Sequence, residues 1–183
     1  RDELDLARSE FTLDAASSID AMRWLALGAL MRSAQMAGAL QRCLALASAY
    51  ALERKQFGRP LAAFQAIQQE LALLAGEVAA VDAAVDAAAD AAEAGDGLFD
   101  IAVAKARASM AVDAATRIAH QVHGAMGFTY EHRLHHYTKR LWSWRDDFGT
   151  EVYWNTLLGR KALEVGGDGL WPFLTRLGSS AAA

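Results

Sequence analysis

Apolar residues recur at three- and four-residue steps through most of this chain, the spacing of helices that bury one face. In the first such run Met22, Leu25, Ala29, Ser33, Met36, Leu40, Leu44 and Ala47 share a stripe. This predicts a helix capped at Ser17 or Ser18 and continuing to about Arg54, with Arg54 in its last turn against the negative end of the dipole. Gly28 and Gly38 lie within it, and their small size predicts close approach of another helix. Gly58 then closes the corner in a left-handed conformation, and Pro60 suits the first turn of the next helix. That second helix is expected to run to about Ala94, with Ala66, Ile67, Leu71, Leu74, Val78, Val81, Val85 and Ala88 facing inward. Asp82, Asp86, Asp90 and Glu93 form another face, read as solvated surface.

Gly95-Asp96-Gly97 is a breaker, after which a third helix is predicted from about Leu98 to His123, ended by Gly124 and Gly127. Two shorter, tryptophan-rich helices follow, from Glu131 to about Arg145 and from Thr150 to about Val165. Gly166-Gly167-Asp168-Gly169 should end regular structure, with Trp171-Pro172-Phe173 docking on the bundle and 179–183 frayed. No alternation typical of strands and no repeat occurs. The expected fold is therefore all-α: an antiparallel, up-down four-helix bundle with a short extra C-terminal helical segment. Residues 1–16 would be a linker or the remnant of an upstream domain, 17–165 the bundle and 166–183 an extension.

The bulk properties narrow the function. A chain of 183 residues, 54% hydrophobic, suffices for one domain with a substantial core. A net charge of −4 lacks the basic excess of a nucleic-acid binder. No stretch is long and apolar enough to span a bilayer, and the charged start Arg1-Asp2-Glu3 does not open a signal peptide. The one cysteine, Cys43, sits in an apolar helical context, the setting of a buried free thiol in a reducing compartment, and a cytoplasmic location is expected. His120 and His123 share a helix face, and His132, His135 and His136 follow the glycine turn. Without supporting cysteines or paired Glu-x-x-His elements, no metal site is expected. The five tryptophans read as helix-packing or subunit-contact residues, with one or two near a substrate pocket.

Three ordered motifs carry more. The first is Tyr50-Ala51-Leu52-Glu53-Arg54-Lys55-Gln56-Phe57-Gly58-Arg59-Pro60 with Phe64-Gln65-Ala66-Ile67-Gln68. The second is Gln121-Val122-His123-Gly124-Ala125-Met126-Gly127-Phe128, and the third is Phe148-Gly149-Thr150. Together, from about Ile19 to Lys161, they resemble the C-terminal helical domain of the acyl-CoA dehydrogenases, which are flavoenzymes. The second motif is similar to that family's Gln-x-x-Gly-Gly-x-Gly-Phe, and the third falls where the family has Glu-Gly-Thr. The family's upstream helical and β domains are absent, as is an initiator methionine, so a fragment amounting to about half of such an enzyme is expected.

The resemblance implies that Arg54 grips the pyrophosphate of FAD bound mainly by a neighbouring subunit, a role suited to a rigidly held planar guanidinium. Gln65 and Gln121 match positions that hydrogen-bond the same cofactor. Gly124 matches one of two glycines whose backbone approaches it, the second being Ala125 here. The implied reaction is α,β-dehydrogenation of an acyl-CoA thioester to the trans-2-enoyl-CoA, with electrons leaving to an electron-transfer flavoprotein. Such enzymes need a carboxylate to remove the α-proton. The family's usual position for it is Phe148, and the minority position aligns with Gly28; neither accepts a proton. The catalytic residue is thus unknown, with Asp147 the candidate and Asp146 beside it. Two readings stay open. The chain belongs to an enzyme that uses another carboxylate, or it is a non-catalytic FAD-edge subunit of a hetero-oligomer in which a related chain supplies the base; in either case the resemblance implies a homo- or hetero-oligomer (dimer or tetramer).

Overall fold

Helix α3 (Leu98–His123) is the axis of the molecule, with 16 of its residues buried, among them Ile101, Ala104, Ala108, Val112, Ala115 and Ile118. Helix α1 (Ala21–Glu53) and helix α2 (Gln65–Glu93) pack against it and against each other. The computed structural model describes residues 19–95 and 97–176. The expected caps Ser17 and Ser18, the segment 1–16, Asp96 of the breaker and the end 179–183 lie outside those residues. Cross-helix pairs give the direction: Glu77 meets Arg107 and Glu70 meets Arg117, so α2 and α3 run antiparallel. The short helix α4 (Leu134–Trp144) lies on α1, and α5 (Glu151–Arg176) lies on α3. The fold is all-α, as expected.

The core is built of small residues. Ala29, Ala47, Ala51, Ala88, Ala102 and Ala111 are buried, with Met36, Leu40, Leu74, Val81, Leu134, Leu141 and Trp154 filling the space between them. Alanine carries no side-chain entropy cost and favours the helix at every position. Cys43 is buried and free, as the sequence suggested, and burial pushes its thiol up to about 12. No helix among the described residues is long and apolar enough to cross a membrane.

Several boundaries differ from expectation. Asp20 caps α1, its carboxylate accepting from the Arg23 amide at 2.7 Å. Arg54 is the residue after the helix, in extended conformation, rather than part of its last turn. The corner that follows is a two-residue antiparallel ribbon, β1 (Lys55–Gln56) against β2 (Arg59–Pro60), a strand pair the sequence did not suggest. Phe57 and Gly58 both have positive φ, the pattern of the tight turn whose twist matches a hairpin. Gly58 thus turns the ribbon and does not cap α1. Pro60 ends β2, and a short 3-10 turn, Leu61–Ala63, precedes α2. Gly38 faces outward with nothing near it in this chain, and at Gly28 the close neighbour is the Phe148 side chain from a turn rather than another helix. Helix α4 starts three residues later than expected.

The largest correction is at the C-terminus. The glycine run does not end regular structure: Gly166 alone leaves helical geometry, at φ 72° and ψ 166°, and the chain resumes as helix to Arg176 in a new direction. Phe173 then meets Phe99 edge to face at 4.9 Å, so of the expected Trp171-Pro172-Phe173 docking Phe173 packs on the bundle while Trp171 stays exposed. A glycine-rich composition fixes only where the backbone is free to bend; the apolar partner decides whether it goes on.

Candidate functional site

Two regions gather the residues that the motifs singled out, and they lie at opposite ends of α1. The first is a cavity of about 350 Å³ lined by Tyr50, Arg54, Gln56, Leu61, Ile67 and residues 121–126. Arg54 is set by its backbone: its amide donates to the Tyr50 carbonyl at 2.9 Å, and its carbonyl accepts from the Leu61 amide at 2.8 Å. Chain on both sides is therefore fixed while the guanidinium stays exposed. Gln121 comes from the last turn of α3, and Gly124 ends that helix at φ 57°. A Cβ on Gly124 would meet nothing within 4 Å, so the space above it is open to a ligand. Gln65 is exposed at the first residue of α2, at the same end of the bundle but outside the cavity lining.

Tyr50 and His123 form the inner wall, a contribution the sequence reading missed. Their rings stack at 4.7 Å, and His132 approaches His123 at 4.5 Å. His123 is only 2% exposed, and its Nδ1 lies 2.7 Å from the Ala119 carbonyl, which requires that nitrogen to carry the proton. Nε2 is then an acceptor, and it has no partner in the protein. Burial, reinforced by His132 and His120, holds the imidazole below its ordinary pKa despite the carbonyl's opposing pull, which favours the neutral ring. Among the described residues no cluster of three or more His, Cys, Asp or Glu side chains has the arrangement of a metal site.

The second region is the turn between α4 and α5. The Phe148 ring lies against Gly28 of α1: a Cβ there would stand 2.8 Å from Cγ of the ring and closer to two other ring atoms. Phe148 has φ 55°, an unusual backbone conformation for a bulky side chain. Its carbonyl accepts from Nε1 of the buried Trp154 at 3.0 Å. Asp147 does not stand free beside it; Arg32 holds its carboxylate at 3.0 Å. The same guanidinium lies 5.1 Å from the Trp144 ring centre and 5.9 Å from that of Phe148. Below the turn, Lys105 reaches up from α3 to the Arg145 carbonyl. The one sign of Lys105 in the sequence is its place on the buried face of α3, one turn after Ile101 and one before Ala108.

The two regions do not meet. Arg54, directly after the end of α1, lies 26 residues beyond Gly28, a separation of roughly 39 Å at the 1.5 Å rise per residue of a helix. The arrangement sets an exposed guanidinium beside an open cavity at one end and, at the other, a turn in which the Asp147 carboxylate is engaged and Phe148 is aromatic.

The profile of the acyl-CoA dehydrogenase C-terminal domain matches residues 19–151. Acyl-CoA dehydrogenase IpdE2 of Mycolicibacterium smegmatis is 40% identical over 112 residues, 61% of this chain and 35% of that protein. The chain thus spans about a third of that relative's length. Among solved structures, butyryl-CoA dehydrogenase from Megasphaera elsdenii superposes with a TM-score of 0.75 at 30% identity, over 78% of this chain and 38% of that one. The ChsE4-ChsE5 complex from Mycobacterium tuberculosis gives 0.74 at 28% identity, over 78% and 39%.

Proposed function

This chain belongs to the acyl-CoA dehydrogenase family, matching its C-terminal domain, and on that premise we propose that it forms one wall of a shared flavin and acyl-CoA thioester site in an oligomer. The family is a class of FAD-dependent oxidoreductases. The observation that carries the proposal is the convergence of Arg54, Gln121 and the 124–126 backbone on one open cavity. Arg54 supplies a planar cationic fork for a diphosphate, Gln121 a neutral donor and acceptor, and Gly124 an unobstructed backbone. The neutral His123 adds an acceptor to the wall. This donor set fits the nucleotide part of FAD. Gln65, at the same end, is the fourth proposed contact.

Held there by Arg54, Gln121 and the 124–126 backbone, FAD would supply the hydride acceptor for oxidation of the acyl chain. The residues of this chain hold and orient the cofactor from outside and exclude water at the edge. The roughly 39 Å between Arg54 and Gly28 exceeds what one dinucleotide bridges, so the cavity and the turn serve different active sites. This favours FAD contacted across a subunit boundary, in a dimer or tetramer. An electron-transfer flavoprotein is the proposed electron acceptor.

At the other end, the packing of Phe148 on Gly28 favours the second of the two readings, a chain that leaves the base to a related partner. Both positions at which the family resemblance would place a carboxylate are occupied by this contact. That one solved neighbour is itself a two-component complex, ChsE4-ChsE5, is in keeping with this. The test is expression of the intact protein alone and with a related chain that has Glu before Gly-Thr. The expected result is a flavin absorbance spectrum and acyl-CoA-dependent bleaching from the pair. A flavin-free pair would reject the proposal.

A further inference from the structure

We infer that Lys105 is a positioning residue for the turn that carries Asp147 and Phe148, acting on it from inside the bundle. Its side chain is completely buried. Nζ donates to the Arg145 carbonyl at 2.6 Å and to Ser109 Oγ at 3.2 Å. Ser109, one helical turn further along α3, also reaches the Arg145 carbonyl, at 3.4 Å. Arg145 is the residue after α4, and its carbonyl is among those that a helix end leaves without an intrahelical partner. Two side chains from α3 thus converge on one backbone atom, three residues before Phe148.

The segment beyond that atom has little slack. The Asp147 amide donates to the Trp144 carbonyl at 3.2 Å, Arg32 holds the Asp147 carboxylate, and Trp154 holds the Phe148 carbonyl. A displacement at Arg145 is therefore passed on to Phe148, whose positive φ persists only while its surroundings over-determine it. Burial is costly for the ammonium and lowers its pKa to about 8; Asp146 opposes the shift, while Arg32 and Arg145 add to it. The charged groups around it are Asp146 and Arg145 at the end of α4, Arg32 from α1 and, paired with Arg145, Glu151 of α5. An apolar side chain of similar length would fill the space without that cost. What an apolar side chain cannot do is donate to the carbonyl, a bond that is strongest while Nζ carries its charge. Any consequence for catalysis rests on the reading of position 148 given above; the anchoring itself does not.

The Trp154 indole N–H reports the outcome, because it donates to the Phe148 carbonyl. In the isotope-labelled full chain, Lys105→Met and Lys105→Gln should both move the Trp154 indole resonance and speed its exchange, while that of exposed Trp24 stays in place. In the unsubstituted chain the Trp154 resonance should titrate with a midpoint of about 8, and both variants should lose that titration. An unmoved Trp154 signal in the variants, or one flat on both sides of that pH in the unsubstituted chain, overturns the inference. Should both variants fail to fold, the unsubstituted titration decides, with Ser109→Ala expected to shift its midpoint. The readout is independent of activity, so failure of the proposed reaction would leave it intact.

Discussion

The Phe148 ring packs on the bare backbone of Gly28, so each of these residues depends on the other's identity. Gly28→Ala should destabilise the chain by about 1–3 kcal/mol, the usual cost of forcing an extra methyl group into a filled space. Phe148→Ala removes the obstacle, and the double variant should recover most of the loss. Denaturant melts of the four proteins give the coupling, and strict additivity would show that the ring moves aside freely.

Cys43 should be inert in the folded chain. With its thiol pushed up to about 12 by burial, almost no thiolate exists near neutral pH. An aromatic disulfide reagent should leave the native protein unlabelled and titrate one thiol after denaturation. Rapid native labelling would mean that α1 opens locally.

How far the sequence could be read depended on range. The helices of the bundle and the buried face of α2 follow from periodicity, because burial of Leu74, Val78, Val81, Val85 and Ala88 is a local pattern. The ribbon at 55–60 was not readable, since two-residue strands leave no alternation, and Phe57 at positive φ defies its own preference. Helix α5 past Gly166 depends on Phe99, 74 residues before Phe173, which no local rule connects. At the candidate site, the family resemblance singled out Arg54, Gln121 and Gly124, and the fold gathers them around one cavity. Tyr50, His123 and Lys105 needed the packing, because their meaning lies in a ring stack, an orphaned nitrogen and a distant carbonyl.

Lys105 should leave a signature in the pH dependence of stability. Its folded pKa is about 8 against an ordinary 10.5, so between these values the unfolded chain binds more protons than the folded one. Unfolding free energy should therefore rise with pH through that window, as the cost of the buried ammonium is relieved. Below about 8 that cost is fully present. Measured against Lys105→Met, the unsubstituted protein should gain stability from pH 8 to 10.5. A flat difference would place the amine in contact with water.

Arg54 should control flavin retention in the intact protein. Arg54→Ala removes a charged, two-pronged contact and should weaken cofactor binding by about 2–3 kcal/mol. Arg54→Lys restores the charge without the planar fork and should recover only part. Flavin absorbance per subunit after dialysis measures both. Equal occupancy in all three proteins would reduce Arg54 to a surface charge at the end of α1.

Asp147 should prove dispensable as a base. Its carboxylate is already bound by Arg32 at 3.0 Å, and taking up a proton would break that pair. The side chain that the proposed reading sets at the base position is its neighbour Phe148, which has no lone pair to offer. The intact homomer should therefore turn over straight-chain acyl-CoA thioesters slowly or not at all. In an active assembly with a glutamate-bearing partner, Asp147→Asn should change the rate by less than about tenfold, or roughly 1.4 kcal/mol in the barrier. The residual effect would come from a loosened Arg32, which also leans on Trp144 and Phe148. A loss of several orders of magnitude would instead identify Asp147 as a displaced base, freed from Arg32 when substrate binds. Fast turnover of butyryl-CoA by the homomer, unaffected by Asp147→Asn, would mean that a carboxylate from outside this turn does the work.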